Sequence, residues 1–177
     1  MRTLVLGGIR SGKSRWAESA IAAEAGPGEP VRYLATGAAA DADPSWARRL
    51  AEHRARRPPH WSTVETVDVA RRLREVPAPP TLIDDLGGWL TAALHGRRSR
   101  GGAVSADVDE LVDAVSEFGS PLVMVSPEVG LAVVPATESG RWFADEIGEL
   151  NRRLADVSER VVLVIAGQSL TVKDDDR

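Results

Sequence analysis

The chain has 177 residues, 43% hydrophobic and 27% charged, with a formal net charge of -4 and no cysteine. That length fits one domain, residues 1–177, able to bury roughly 70% of its unfolded surface, and the composition is that of an ordinary globular protein. The acidic balance excludes a protein that holds nucleic acid by charge alone, and the lack of cysteine excludes disulfides, thiolate metal sites and a cysteine nucleophile. The apolar stretch at Leu4-Val5-Leu6 is too short for a signal peptide. No run approaches the roughly 18 apolar residues of a membrane span, so a soluble cytoplasmic protein is expected.

Short apolar runs alternate with longer amphipathic ones along the chain. Leu4 to Leu6 opens as a strand and feeds a glycine loop; Ser14 to Ala25 follows as a helix ended by Gly26-Pro27-Gly28. Val31 to Ala35 reads as a second strand and Pro44 to Arg57 as a helix stopped by Pro58-Pro59. An extended piece at Trp61 to Glu65 precedes a helix over Asp68 to Arg74, and Thr81-Leu82-Ile83 is a strand running into Asp84-Asp85. A helix near Trp89 to Leu94 leads to Gly96-Arg97-Arg98-Ser99-Arg100-Gly101-Gly102, a basic, glycine-rich stretch with little to bury, read as a mobile loop. Helices over Asp107 to Phe118 and Glu138 to Ala155 flank the strand Pro121 to Val125. Arg160 to Ala166 is the last strand, and Asp174 to Arg177 reads as a frayed tail. Strands apolar on consecutive residues and separated by helices imply a mostly parallel, doubly wound α/β sheet of the P-loop NTPase kind. Helices cover both faces, and ligands sit at the carboxyl ends of the strands.

Gly7-Gly8-Ile9-Arg10-Ser11-Gly12-Lys13-Ser14 matches the Walker A pattern, directly after a strand and at the start of a helix. Backbone N–H groups of such a loop turn inward around phosphate oxygens, and the helix amino terminus adds partial positive charge. Lys13 reaches the β- and γ-phosphates, and the Ser14 hydroxyl completes the shell of a Mg2+ ion. Arg10 is either a further phosphate contact or a surface arginine. The metal also calls for a carboxylate opposite the loop. Asp84, at a strand end, has the Walker B form, with Asp85 as the competing choice.

Trp46, Leu50 and His53 fall at i, i+4 and i+7, placing His53 on the apolar stripe of its helix among Arg48, Arg49, Arg54, Arg56 and Arg57. From the pattern alone, a half-buried histidine on a solvated basic helix is the simpler reading. The alternative is a nucleophile: a neutral imidazole attacks phosphorus, and arginines neutralise the phosphate it receives. His60, in a turn after two prolines, and His95, beside the basic loop, are weaker candidates.

Gly7-Gly8-x-Arg10-Ser11-Gly12-Lys13-Ser14-Arg15-x-Ala17-Glu18 resembles the opening of the bifunctional adenosylcobinamide kinase/adenosylcobinamide-phosphate guanylyltransferases. Tyr33-Leu34-Ala35-Thr36 and Leu50-x-x-His53-Arg54-x-x-Arg57-Pro58-x-x-Trp61-x-Thr63-x-Glu65 extend the resemblance. Glu128-Val129-Gly130, Val134-Pro135, Arg141-x-Phe143-x-Asp145 and Gly148-x-x-Asn151 continue it in order, over about Thr3 to Gly167. It implies phosphorylation of adenosylcobinamide from ATP or GTP, then transfer of GMP from GTP through a guanylylated histidine that maps onto His53. It further implies nucleotide contacts from Gly7 to Ser14, Ala35-Thr36-Gly37, Arg54-Ala55-Arg56-Arg57, Glu65 and Leu86. A carboxylate such as Glu65 is suited to accept from guanine N1–H and N2–H. A homotrimer is implied as well. Two other readings remain on the residues alone: a small-molecule kinase with His53 structural, and a GTP-binding regulatory or assembly protein. The chain departs from the family pattern at Pro127, where asparagine is usual, and at Asp85-Leu86-Gly87-Gly88, where cysteine and hydroxyl residues are common. Ala132 stands where glycine is common.

Overall fold

The computed structural model describes residues 1–36, 57–98 and 104–175. The helix expected over residues 44–57 therefore lies outside the described residues except for Arg57, as do Gly37, His53, Arg54, Ala55 and Arg56. The described elements are β1 (Arg2–Gly7), α1 (Lys13–Ala25), β2 (Arg32–Ala35), β3 (Ser62–Glu65), α2 (Val69–Leu73) and β4 (Thr81–Asp84). They continue with α3 (Leu86–Arg98), α4 (Ser105–Glu117), β5 (Leu122–Pro127), α5 (Glu138–Asp156), β6 (Arg160–Ile165) and β7 (Gln168–Asp174).

The strands form one sheet in the order β3-β2-β4-β5-β1-β6-β7. All neighbours are parallel except the β6–β7 pair. Successive residues of a strand point to opposite faces, and the core divides accordingly. Leu4, Leu34, Ile83, Leu122 and Met124 pack beneath α2 to α5, with Leu73, Leu90, Leu111, Val115, Ile147 and Leu150 as principal partners. Val5, Tyr33, Leu82, Val123, Val125, Val162 and Val164 pack on the other face against Ala17 and Ile21 of α1. Both faces are covered, as the continuous apolar strands imply. The strand β5 lies between β1 and β4, so Gly7 and Asp84 stand two strands apart at the same edge.

Two expectations need correction. The helix expected near Trp89 to Leu94 begins at Leu86 and runs through Arg98, so the first three residues of the basic segment read as a loop are helical, and 99–103 lie outside the described residues. Gly87 and Gly88 obscured its start, yet the Asp85 carboxylate caps it by accepting from the Gly88 N–H at 2.8 Å. Leu86, Trp89, Leu90 and Leu94 supply a buried stripe that holds it to the sheet.

The tail is likewise not frayed at Asp174, which ends the antiparallel strand β7, and the Asp175 N–H donates to Glu159 O at 2.9 Å. This edge strand is exposed along most of its length, so it carries no inside–outside pattern for the sequence to reveal. It is held by backbone pairing across the two-residue turn Ala166-Gly167, whose φ angles of 50° and 77° suit a type I′ hairpin. Lys173 anchors its far end, donating to Ala155 O at 3.1 Å and Ser158 O at 2.6 Å.

Candidate active site

The phosphate loop connects β1 to α1. Ser11 N–H donates to Gly8 O at 3.3 Å and Trp16 N–H to Gly12 O at 3.0 Å, which closes the loop onto the first helical turn. Gly12 has φ of 94°, and a Cβ there would meet the Cα of Gly167 at 3.2 Å, so both backbone conformation and space call for glycine. That contact arises because the β6–β7 hairpin tip leans on the loop, with Gly167 N–H donating to Ser11 O at 2.8 Å. The first turn of α1 carries no acid of its own and begins Lys13-Ser14-Arg15, so no residue of the turn offsets the positive end of the helix dipole. The Lys13 Nζ lies over the loop, 3.2 Å from Gly8 O. Arg10 adopts φ of 57°, and Ile9 is 92% exposed at the loop crest.

Opposite the loop, Asp84 ends β4. Its Oδ1 accepts from the Ser14 hydroxyl at 3.2 Å and its Oδ2 from the Tyr33 hydroxyl at 2.5 Å. The register explains the second bond: Tyr33 pairs with Leu82 and Ala35 with Asp84, making Tyr33 the diagonal neighbour of Asp84 on the α1 face. The structure thereby separates the two acids. Asp84 faces Ser14, whereas the Asp85 side chain turns away to cap α3, where burial pushes its carboxyl above the usual range against the lowering effect of the Gly88 N–H. Burial, followed by the adjacent Asp84 charge, likewise raises the Tyr33 hydroxyl, which stays protonated and able to donate.

A hydroxyl and a carboxylate facing each other at the loop are hard oxygen donors of the kind a Mg2+ ion takes, with phosphate and water filling the remaining positions. Among the described residues no group of three or more histidine or acidic side chains could hold a metal by itself.

The other sequence-derived candidates distribute unevenly. Glu65 is the last residue of β3, exposed and paired with Ala35, in the same cross-sheet row as Asp84. Thr36 is 0% exposed; its N–H donates to Asp84 O at 3.3 Å and its hydroxyl to Asp85 O, so it braces the strand end. Leu86 is fully buried in the core and has no side-chain surface to offer a nucleotide. Arg57 lies 3.3 Å over the Tyr33 ring, with Nη1 donating to Thr63 Oγ1 at 2.9 Å. His95 sits ten residues beyond Asp85 on α3, roughly 15 Å along the helix, with Nδ1 against Thr91 O at 2.7 Å. His60 lies in a turn before β3.

Sequence reasoning gave the supports no role. Asn151 on α5 accepts from the Ser126 hydroxyl at 2.5 Å and donates to Pro127 O at 3.1 Å, fixing the end of β5 beside Gly7. Glu128 N–H extends that contact to Gly7 O at 3.1 Å. A buried asparagine on an otherwise amphipathic helix was the available signal. The ring of Pro127 rests on Gly87, where a Cβ would meet its Cγ at 2.8 Å. Pro127 thus packs against Gly87, one residue of the Asp85-Leu86-Gly87-Gly88 segment.

Residues 3–172 match the model of the cobinamide kinase/cobinamide phosphate guanyltransferase family. The bifunctional adenosylcobalamin biosynthesis protein CobP of Pseudomonas aeruginosa is 42% identical over 176 residues, covering 98% of each chain. The bifunctional adenosylcobalamin biosynthesis protein CobU of Escherichia coli is 32% identical over 187 residues, covering 98% of this chain and all of its own. Among solved structures, a KaiC-like protein from Pyrococcus horikoshii OT3 covers 99% of this chain and 79% of its own, with a TM-score of 0.55 at 17% identity. That likeness speaks for the P-loop NTPase-like fold. With a phosphate loop, a facing strand-end acid and a family match spanning nearly the whole chain, the protein belongs to the cobinamide kinase/cobinamide phosphate guanyltransferase family.

Proposed function

We propose that this chain phosphorylates adenosylcobinamide and then converts the product to adenosylcobinamide-GDP. In the first reaction the aminopropanol hydroxyl attacks the γ-phosphorus of ATP or GTP, the bond to the β-phosphate oxygen breaks, and the hydroxyl proton is lost as the nucleoside diphosphate leaves. In the second, an imidazole nitrogen of His53 attacks the α-phosphorus of GTP and pyrophosphate leaves. A phosphate oxygen of the adenosylcobinamide phosphate then displaces the histidine from that phosphorus. Gly7 to Ser14 hold the triphosphate, with Lys13 against the charge that develops between the β- and γ-phosphates. Ser14 and Asp84 would hold Mg2+, which neutralises phosphate charge when bound. Ala35, Thr36, Gly37 and Arg54 to Arg57 contact the nucleotide and Glu65 accepts from guanine; Leu86, implied by the resemblance, is 0% exposed and is not among the contacts.

The observation that supports this best is the alignment of the Ser14–Asp84 pair with Glu65 along one sheet edge, in a chain that shares 42% of its residues with a bifunctional relative. No described helix is long and apolar enough to cross a membrane. We place the enzyme in the cytoplasm, as a homotrimer acting on small molecules and not on nucleic acid. The test is GTP labelled at the α-phosphate. Wild type takes up acid-labile label and His53→Ala takes up none. Product labelled from γ-phosphate with no α-label ever reaching the protein would reduce the activity to that of a kinase. Sedimentation equilibrium checks the trimer.

A further inference from the structure

Tyr33 is 2% exposed, between Arg32 and Leu34 of β2, and its hydroxyl reaches Asp84 Oδ2 at 2.5 Å. The opposite oxygen of the same carboxylate takes the Ser14 hydroxyl. A strand-end aspartate has two side-chain torsions; donors on both oxygens determine the plane of its carboxylate, and only one of those donors belongs to the phosphate loop. The Tyr33 ring is itself held. It is packed in the α1-face core, and the Arg57 guanidinium lies 3.3 Å over it, tied to Thr63 on β3. In sequence, Arg57 follows His53 by four residues.

We propose that Tyr33 is a positioning residue for the metal-bound triphosphate: it orients Asp84 toward the cation from the side opposite the phosphate loop. This rests on the reading of Asp84 as the metal carboxylate. The phenol supplies no ligand. It acts through Asp84 by keeping one carboxylate oxygen engaged while the other, together with Ser14, faces the ion. Partners behind a metal ligand of this kind commonly alter metal affinity by tenfold or more.

Calorimetric binding of the non-hydrolysable guanosine 5′-(β,γ-imido)triphosphate, in Mg2+ and in EDTA, tests the assignment without catalysis. Tyr33→Phe keeps the ring and the Arg57 contact. It is expected to leave the affinity in EDTA within about twofold of wild type and to weaken binding in Mg2+ about tenfold. Asp84→Asn is expected to abolish the gain from Mg2+, and Tyr33→Phe added to it is expected to change nothing further, because Tyr33 acts through Asp84. Equal loss in Mg2+ and EDTA would mark a merely structural role and overturn the proposal, as would an unaltered Mg2+ dependence in Tyr33→Phe. If Asp84→Asn itself leaves the Mg2+ dependence intact, the reading of Asp84 falls and the assignment of Tyr33 falls with it. A loss confined to Asp84→Asn overturns the role of Tyr33 alone.

Discussion

Replacing Gly87 by alanine would place a methyl carbon 2.8 Å from Cγ and 3.2 Å from Cδ of Pro127, and 3.3 Å from Asp85 Oδ1. Carbon atoms prefer roughly 3.5–4.0 Å, so the proline ring must be displaced. Both elements are constrained: Pro127 ends β5 with its carbonyl held by Asn151, and Gly87 lies in the first turn of α3 behind the Asp85 cap. Overpacking of this kind costs about 1–3 kcal/mol, while alanine for glycine in a helix returns up to about 1 kcal/mol. Gly87→Ala is therefore expected to lose about 0–2 kcal/mol on balance. Pro127→Ala lacks the Cγ and Cδ atoms that make the clash, so in that background the same change is expected to stabilise by about 0.5–1 kcal/mol. The Asp85 contact is common to both backgrounds and cancels. Urea denaturation of the four proteins gives the coupling directly, at about 1–3 kcal/mol. A coupling below about 0.5 kcal/mol would show that Pro127 and Gly87 are independent and refute the view that one departure accommodates the other.

Further outcomes follow from the same contacts. Asn151→Ala strips the Ser126 hydroxyl and the Pro127 carbonyl of their partner at a buried site and is expected to cost about 2–3 kcal/mol, measured by chemical denaturation; a loss under about 0.5 kcal/mol would refute it. Hydrogen bonds from the Arg2 side chain, joined by its backbone N–H, hold the Glu159 carboxyl down to about 2 against an ordinary 4.5. A depressed carboxyl contributes stability that is present above its unfolded pKa and lost as pH falls through the folded one. Glu159→Gln is thus expected to lose about 1 kcal/mol at pH 7, discounted because the pair is partly solvated, and progressively less from pH 4.5 toward 2; an equal deficit at pH 7 and pH 3 would contradict this. Glu65→Ala is expected to weaken GTP binding about tenfold or more while leaving ATP nearly unchanged, read by competition titration. Equal weakening of both nucleotides would remove Glu65 from guanine recognition.

The resemblance carried by the Gly7 to Ser14 loop and by the His53 to Glu65 segment points to the family from the sequence alone, because each is a motif close in the chain and local spacing is what a sequence displays. The parallel sheet was legible for a similar reason: strands buried on both faces must be apolar at every position. Edge strand β7 was not legible, since backbone pairing holds it without side-chain burial, and the start of α3 was hidden behind two glycines that a cap and a buried stripe outweigh.

Choosing between Asp84 and Asp85 required the tertiary structure. Asp84 ends β4 and Asp85 lies just beyond it, and only the register with β2 and the position of α1 decide which one meets Ser14. The same holds for Tyr33, Asn151 and the Pro127–Gly87 contact, each of which joins residues at least 24 positions apart. Chemistry carried by neighbours in the chain can be read from their order. Chemistry that depends on which side chains meet across a sheet exists only once the strands have taken their places.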